Sequence, residues 1–577
     1  MIRLLSEDKD VRVVVGIDFG TTFSGFSVGH VENPKEVEVY SLWPRGSINK
    51  TIGWKIPTVL AYGEDSNVTH VGNEVSDAEG PLDDCDEGKY YFVDCFKMRL
   101  FKVEDAKKPS LAGGIKPKKA VEDFLVYMKD RIKPHIERRW PSVNYPQQVY
   151  FVFTLPVGWK HEQQSFMLER AIKAGLFDAE CKENVAFIDE PEAAAIDCFP
   201  LMDTHGLKSG EKFMIVDCGG GTVDLTTRKL LGNKKLEEKT ESTFNSWGGT
   251  TVDNEFIKAL ADRLGITHER MAELRKQYYG EFIGLIQNTF SPIKFEFDVE
   301  ENFVDQKVQL TESYDFLKDE VQDAEKRKEL EDKGWRLVFT FKDIRAMFEP
   351  SVSEILKSIN KQLEACEGEC SAIFLVGGYS HSPYLARCVK EKFKEQVQII
   401  DSPLTPIIAV VRGAALYGLS IDHDANSDAY GASKVIESRV LRYTYGTDME
   451  VRRANDNRMV MKFSRLARRG DSVKQDQKFR QIYYPSHPRQ TKIGLSIYAS
   501  KEYNPEFIES ENVRKIKDWT IDLPDRYLGR NRPVELSLTF GNFSTTITAK
   551  NKITGQQLDT FGDDKWIDEY LDASSCS

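Results

Sequence analysis

Twice in this chain a short apolar run ends in Asp-x-Gly, and the two occurrences lie roughly 200 residues apart. Val13-Val14-Val15-Gly16-Ile17 leads into Asp18-Phe19-Gly20-Thr21-Thr22, and Phe213-Met214-Ile215-Val216 leads into Asp217-Cys218-Gly219-Gly220-Gly221-Thr222. Each run reads as a strand and a glycine turn, with return strands at Phe23 to Val28 and Val223 to Thr227. Each unit is thus a β-hairpin that opens an α/β lobe, not a strand-to-helix phosphate loop. A glycine turn at a strand end lets backbone N–H groups approach phosphate oxygens with no Cβ in the way, and a flanking Thr adds a hydroxyl donor. An adjacent Asp can hold Mg²⁺ through water, the mode magnesium prefers in nucleotide sites. One such motif is weak evidence; a pair opening two lobes is not.

The rest of the chain fits several folded units. At 577 residues it is too long for one core, and 40 % hydrophobic with 29 % charged residues is too apolar for a disordered chain. Between the hairpins, Val149 to Leu155 reads as a strand, and Glu162 to Ala174 as an amphipathic helix with Phe166, Ala171 and Leu176 in period. After the second hairpin, Ala372 to Val376 is a buried strand running into Gly377-Gly378, and Ile407 to Leu419 is helical. Residues 318–334 alternate in charge and read as a solvated helix or loop. The expected division is lobe I at 11–200, lobe II at 201–420, a polar linker at 421–435, a β-sandwich at 436–560 and a short tail at 561–577. The sandwich expectation rests on period two: Val534, Leu536, Leu538 and Phe540 share one face, with turns at Gly541-Asn542 and Thr554-Gly555.

Charge and cysteine usage narrow the class. The net charge of −12 argues against a whole-molecule nucleic-acid or anionic-membrane binder. Residues 436–550 differ, with 22 Lys+Arg against 14 Asp+Glu, a local +8. Nine cysteines show no framework spacing, and the nearest pair, Cys366 and Cys370, lacks a second pair to complete a zinc site. Reduced thiols are expected. Met1 to Asp10 is charged and lacks a signal-peptide core, and Ile407 to Leu419 is short for a membrane span and holds Arg412, so a cytoplasmic protein with no membrane span is expected.

Four runs occur in the order seen in the heat shock 70 kDa family: Gly16 to Ser24, Ile188-Asp189-Glu190-Pro191-Glu192-Ala193-Ala194-Ala195-Ile196, Val216 to Leu225, and Leu375-Val376-Gly377-Gly378. The chain resembles these chaperones, which share a two-lobed ATPase fold of duplicated ribonuclease-H-like lobes with actin and the sugar kinases. Phe96-Lys97-Met98-Arg99, Asp189-Glu190-Pro191-Glu192, Trp247-Gly248-Gly249-Thr250 and Val411-Arg412-Gly413-Ala414 look like its divergent heat-shock protein twelve branch. The resemblance covers residues 11–420 strongly and continues more faintly through the sandwich, which looks like a substrate-binding β-domain.

The resemblance implies an ATP/ADP and Mg²⁺ site. Gly20, Thr21 and Thr22 match one phosphate loop, and Gly219, Gly220, Gly221 and Thr222 the other. Asp18, Glu190 and Asp217 match carboxylates that hold Mg²⁺ through water and order the attacking water, Lys97 the lysine that steadies the γ-phosphate, and Asp224 a further active-site carboxylate. Gly248, Gly249, Gly377 and Gly378 match nucleotide-approach turns, with Tyr379 or His381 as a base-stacking side chain in place of the family's Arg. In-line attack by water asks for little else. A plain ion pair is the other reading of Lys97 and Glu190.

Departures from the family are as specific. The stretch matched to the adenosine-clamping helix, Ile283 to Phe290, carries no charge; Val157-Gly158-Trp159 lacks a nearby interlobe Arg, Gln164 lying closest; and Ser433-Lys434-Val435-Ile436-Glu437 only faintly echoes the acidic hydrophobic linker. Beyond Phe561 no long helical lid is expected, which implies fast exchange of any bound segment. The leading expectation is a chaperone-like protein with slow Mg-dependent ATP hydrolysis coupled to lobe closure and to peptide or folded-partner binding. An ATP-binding scaffold with little turnover is the alternative, and a small-molecule kinase of the same fold is disfavoured because no sugar-binding constellation is evident.

Overall fold

A computed structural model describes residues 10–44, 53–76, 90–100, 111–157, 159, 161–301, 303–421, 435–452, 459–474, 477–540 and 545–561. The expected linker, apart from Ile421 and Val435, the Gly541-Asn542 turn and the tail beyond Phe561 lie outside the described residues. The described residues within 1–157, 168–226 and 242–433 form one compact unit, and those within 158–167, 227–241 and 434–577 a second.

The first unit is built on two sheets that begin alike. Val13–Asp18 is buried along its whole length, as a β-branched run needs to be in the middle of a sheet covered on both faces. It pairs antiparallel with Phe23–His30, from Val13 opposite His30 to Asp18 opposite Gly25, and parallel with Val149–Leu155, which pairs parallel with Val185–Asp189. The second sheet places Lys212–Cys218 beside residues 223–226 of the return strand and parallel to Ala372–Val376, and that strand parallel to Ile399–Asp401. The apolar core of this half joins Val216, Leu225, Phe256, Phe290, Phe348 and Leu375. A further small sheet, Val59–Gly63 between Val68–Val71 and Tyr90–Asp94, flanks the first.

Two helices cross the division at residue 200. Ala409–Leu419, placed in lobe II by sequence, lies on the first sheet: Ser27 Oγ donates to Val411 O at 2.7 Å, a Cβ on Gly16 would lie 2.6 Å from Ala415 N, and one on Gly418 would meet Val14 and Val152. Glu190–Asp197 packs on Lys212–Cys218 of the second sheet. The two helices also pack on each other, with Arg412 donating from Nε and Nη2 to the two carboxylate oxygens of Asp197. A Cβ on Gly413 would sit 1.9 Å from Ala193 O, so the helices meet at backbone distance. Gly413→Ala is accordingly expected to destabilise the first unit by about 1–3 kcal/mol, as overpacking a closed core does. Urea denaturation checks this, and an unshifted midpoint would count against the tight joint.

The second unit contains two four-stranded antiparallel sheets. One is ordered Met459–Ala467, Thr444–Arg452, Lys492–Ser500, Val513–Asp522, and the other Gln477–Tyr483, Val534–Phe540, Thr545–Asn551, Gln557–Phe561. Val534, Leu536, Leu538 and Phe540 are buried and share one core with Ile497, Trp519 and Ile521 from the other sheet. Buried Arg532 donates to the carbonyls of Gly529, Gln490, Leu523 and Pro488, tying three loops together. Among the described residues, no helix is long and apolar enough to cross a membrane.

Candidate functional site

The two hairpin turns face each other. A Cβ on Gly220 would lie 2.0 Å from Thr22 Oγ1, and one on Gly221 2.9 Å from Thr21 Cγ2, so only bare backbone fits between the turns. Thr22 O accepts from Thr58 N at 2.7 Å, Gly20 N donates to Ser24 Oγ at 3.1 Å, and Ser24 and Thr58 join their hydroxyls at 2.8 Å, which fixes the first turn. In the second, Gly219 N donates to Thr222 O at 2.9 Å. The start of the helix Gly249–Leu264 clasps it: Gly249 N donates to Gly219 O at 3.0 Å, and Thr250 N and Oγ1 each donate to Gly220 O at 2.9 Å. A Cβ on Gly248 would lie 2.4 Å from Gly220 O. Gly377, at φ 85°, would drive a Cβ to 2.3 Å from Asp217 Oδ1, whereas Gly378 has ordinary space around it.

Beside the turns lies a buried charge cluster. Asp18, at the end of its strand, accepts from Lys55 Nζ at 2.5 Å and from Thr154 Oγ1 at 2.9 Å. Glu190, the first residue of its helix, accepts from Lys97 Nζ at 2.7 Å; Lys97 is 1 % exposed. Asp224 Oδ1 accepts from Val157 N at 3.0 Å. Four carboxylates, Asp18, Glu190, Asp217 and Asp224, thus stand against two ammonium groups.

That imbalance is felt by the carboxylates. Burial pushes Asp217 up to about 8, with Glu190 adding to it. Burial likewise raises Glu190, opposed by Lys97, and raises Asp224, with Glu190 and Asp217 as further causes. Two more carboxyls than ammonium groups in a desolvated place keep their protons, and a divalent cation would favour their ionised form. Among the described residues no group of three or more His, Cys, Asp or Glu is placed to hold a metal directly.

The base-stacking expectation is corrected for Tyr379. Its ring is 2 % exposed, lies stacked near Phe348 at 6.3 Å, and abuts Gly249, where a Cβ would come within 3.3 Å. A face already covered by core cannot stack on a ligand. His381 is half-buried, its Nε2 makes no hydrogen bond among the described residues, and burial lowers its pKa, keeping the ring neutral.

Sequence reading missed Lys55, Thr154 and Lys294. Lys55 stands in Trp54-Lys55-Ile56-Pro57, a lone charge among apolar residues, which is the signal that was available. Ile283–Phe290 is uncharged as read, but one turn later buried Lys294 donates to Asp253 at 2.6 Å and to Gly249 O at 3.3 Å.

No protein-family model matches the chain. It is similar to heat shock 70 kDa protein 12A of Mus musculus, 24 % identical over 96 % of this chain and 92 % of that protein, and to the Homo sapiens protein 12A at the same values. Heat shock 70 kDa protein 12B of Homo sapiens is 23 % identical over 96 % of this chain and 91 % of its own length. Over nearly its whole length the chain is therefore similar to heat shock 70 kDa proteins. A member outside that branch, the chaperone protein DnaK of Nitrosopumilus maritimus, is 22 % identical over 72 % of this chain and 57 % of its own length. Similarity to the heat shock 70 kDa proteins implies a two-lobed actin-like ATPase fold, consistent with the two hairpin-led sheets of the first unit.

Proposed function

We propose that this chain is a chaperone-like protein that binds ATP with Mg²⁺ in its first unit and hydrolyses it slowly. The observation that carries this reading is the convergence of the two hairpin turns beside an under-neutralised carboxylate cluster. Magnesium bound with ATP supplies the charge that neutralises the phosphate oxygens. Thr21, Thr22 and the backbone of Gly20 and of Gly219 to Thr222 bind phosphate, with Gly248, Gly249 and Gly377 keeping the approach clear of Cβ atoms. Asp18, Glu190 and Asp217 would hold the magnesium through water and would supply the carboxylates that order an attacking water, while Asp224 holds the turn at Val157 and Lys55 and Lys97 balance charge. A melting curve with and without millimolar Mg·ATP tests binding, and phosphate release tests turnover. The scaffold reading draws support from the engagement of both lysines with carboxylates; retained ATP without phosphate release selects it.

The two sheets of the second unit are read as a β-sandwich that binds a partner. The edge strand Gln477–Tyr483 pairs along one side only in the sheet order, and Ile482 and the adjoining Tyr484 are exposed, whereas the outer side of Met459–Ala467 is bonded by residues 506–508. An open edge accepts an extended segment by main-chain hydrogen bonding, and the +8 of residues 436–550 suits an acidic folded partner. Fluorescent unfolded peptides are expected to leave the full chain within seconds; a complex lasting many minutes would contradict an open edge as the binding element.

A further inference from the structure

The helix Phe341–Ala365 and the strand Ala372–Val376 are joined by a loop reading Cys366-Glu367-Gly368-Glu369-Cys370-Ser371. Its three middle residues are exposed, and Glu367 at φ 61° and Gly368 at φ 72° turn the chain back on itself. Gly368 N donates to Leu363 O at 2.9 Å and Cys370 N to Gly368 O at 3.1 Å. The turn brings the two cysteines together under a thin exposed cover. Both are buried in one cluster, with Cys366 Sγ 3.3 Å from Leu363 O and Cys370 Sγ 3.2 Å from Ala372 O. Lys212 crosses the loop, its Nζ 3.4 Å from Cys366 O and 2.8 Å from Glu369.

Cys366 differs from Cys95, Cys198, Cys218 and Cys388. Cys366 is held down to about 7, first by a hydrogen bond from Cys370 and then, against the effect of burial, by the Lys212 charge; Cys370 is pushed well up by the same partnership and by burial. Burial raises Cys95, Cys198, Cys218 and Cys388. An attacking thiol with a hydrogen-bonded second thiol beside it has the parts of an exchange-active dithiol.

We propose that Cys366 and Cys370 form a redox-active dithiol that closes to an intramolecular disulfide by exchange with a low-molecular-weight disulfide. The Cys366 thiolate attacks one sulfur of the small disulfide, whose S–S bond breaks and releases one thiolate. Cys370 then attacks Cys366 Sγ in the mixed disulfide, the second small thiolate leaves, and the protein bridge forms. Two electrons pass from the protein thiols to the small disulfide, and the two protein thiol protons end on the two released thiols. The bridge closes a five-residue loop at the foot of the strand that leads into Gly377.

The test incubates the folded full chain with oxidised glutathione, traps free thiols with an alkylating reagent and maps peptides by mass. The expected product is a Cys366–Cys370 bridge, formed at least about tenfold faster than modification of Cys95, Cys198 or Cys388. Cys370→Ser should stop at a stable glutathione adduct on Cys366, and Cys366→Ser should slow modification at Cys370 by about tenfold or more relative to Cys366 in the wild type. Recovery of both cysteines as separately alkylated peptides from the folded wild type, in large excess of oxidised glutathione, overturns the proposal whatever the variants do. Adducts spread evenly over all the thiols overturn it as well.

Discussion

Gly220→Val is expected to abolish the rise in melting temperature that Mg·ATP gives the wild-type chain. A ligand that binds only the folded state at about 100 times its Kd adds about 2.7 kcal/mol. For the first unit that is a shift of several degrees. Any Cβ at residue 220 lands on Thr22 Oγ1, so the substitution spreads the two turns at the point where phosphate must be held. Gly494→Ala, at a position with open space around it, is the control and should leave the shift intact. A Gly220→Val protein that melts as the wild type does without nucleotide, and still rises with Mg·ATP, would place the nucleotide elsewhere.

Asp217→Asn is expected to lower single-turnover hydrolysis by about 100-fold while changing ATP affinity only a few-fold, because the carboxylate acts on water and charge more than on the bound ground state. The same change should stabilise the empty protein. Asp217 is pushed up to about 8, chiefly by burial and then by Glu190, whereas an unfolded Asp titrates near pH 3.9, a figure of about one-unit spread. Between about pH 4 and pH 8 the folded chain therefore holds a proton that the unfolded chain has released, and stability falls as pH rises through that window. Asparagine carries no such charge. In EDTA the variant should melt above wild type, and the gap should widen from pH 5 to pH 8. Equal melting temperatures at both pH values would show that Asp217 is not under the strain described.

What could be read from sequence was local. Each hairpin is written within a dozen residues, as a β-branched or apolar run followed by turn glycines, and the apolar face of Val534 to Phe540 needs only a period of two. Lys55 escaped because its partner, Asp18, is 37 residues away and only the folded sheet buries the pair. Tyr379 was misread for a related reason. Its neighbour Gly378 predicts ligand approach, but the ring is claimed by Phe348 from a distant helix and by Gly249. The helix Ala409–Leu419 was legible as a helix, yet its landing on the first sheet depends on Gly16 leaving room for the helix backbone and Gly418 for the Val14 and Val152 side chains, far apart along the chain. The Cys366–Cys370 spacing was visible, and the influence of Lys212 on it was not.

The most direct test of the central claim is a single-turnover experiment with the full chain in excess over γ-labelled ATP, with Mg²⁺ and with EDTA. The account predicts that ATP is retained by the protein and that labelled phosphate appears slowly with Mg²⁺ and not with EDTA. Label that is neither retained nor released, at protein concentrations where the melting temperature is measured, would contradict the assignment of the converging turns and their carboxylates as a Mg·ATP site.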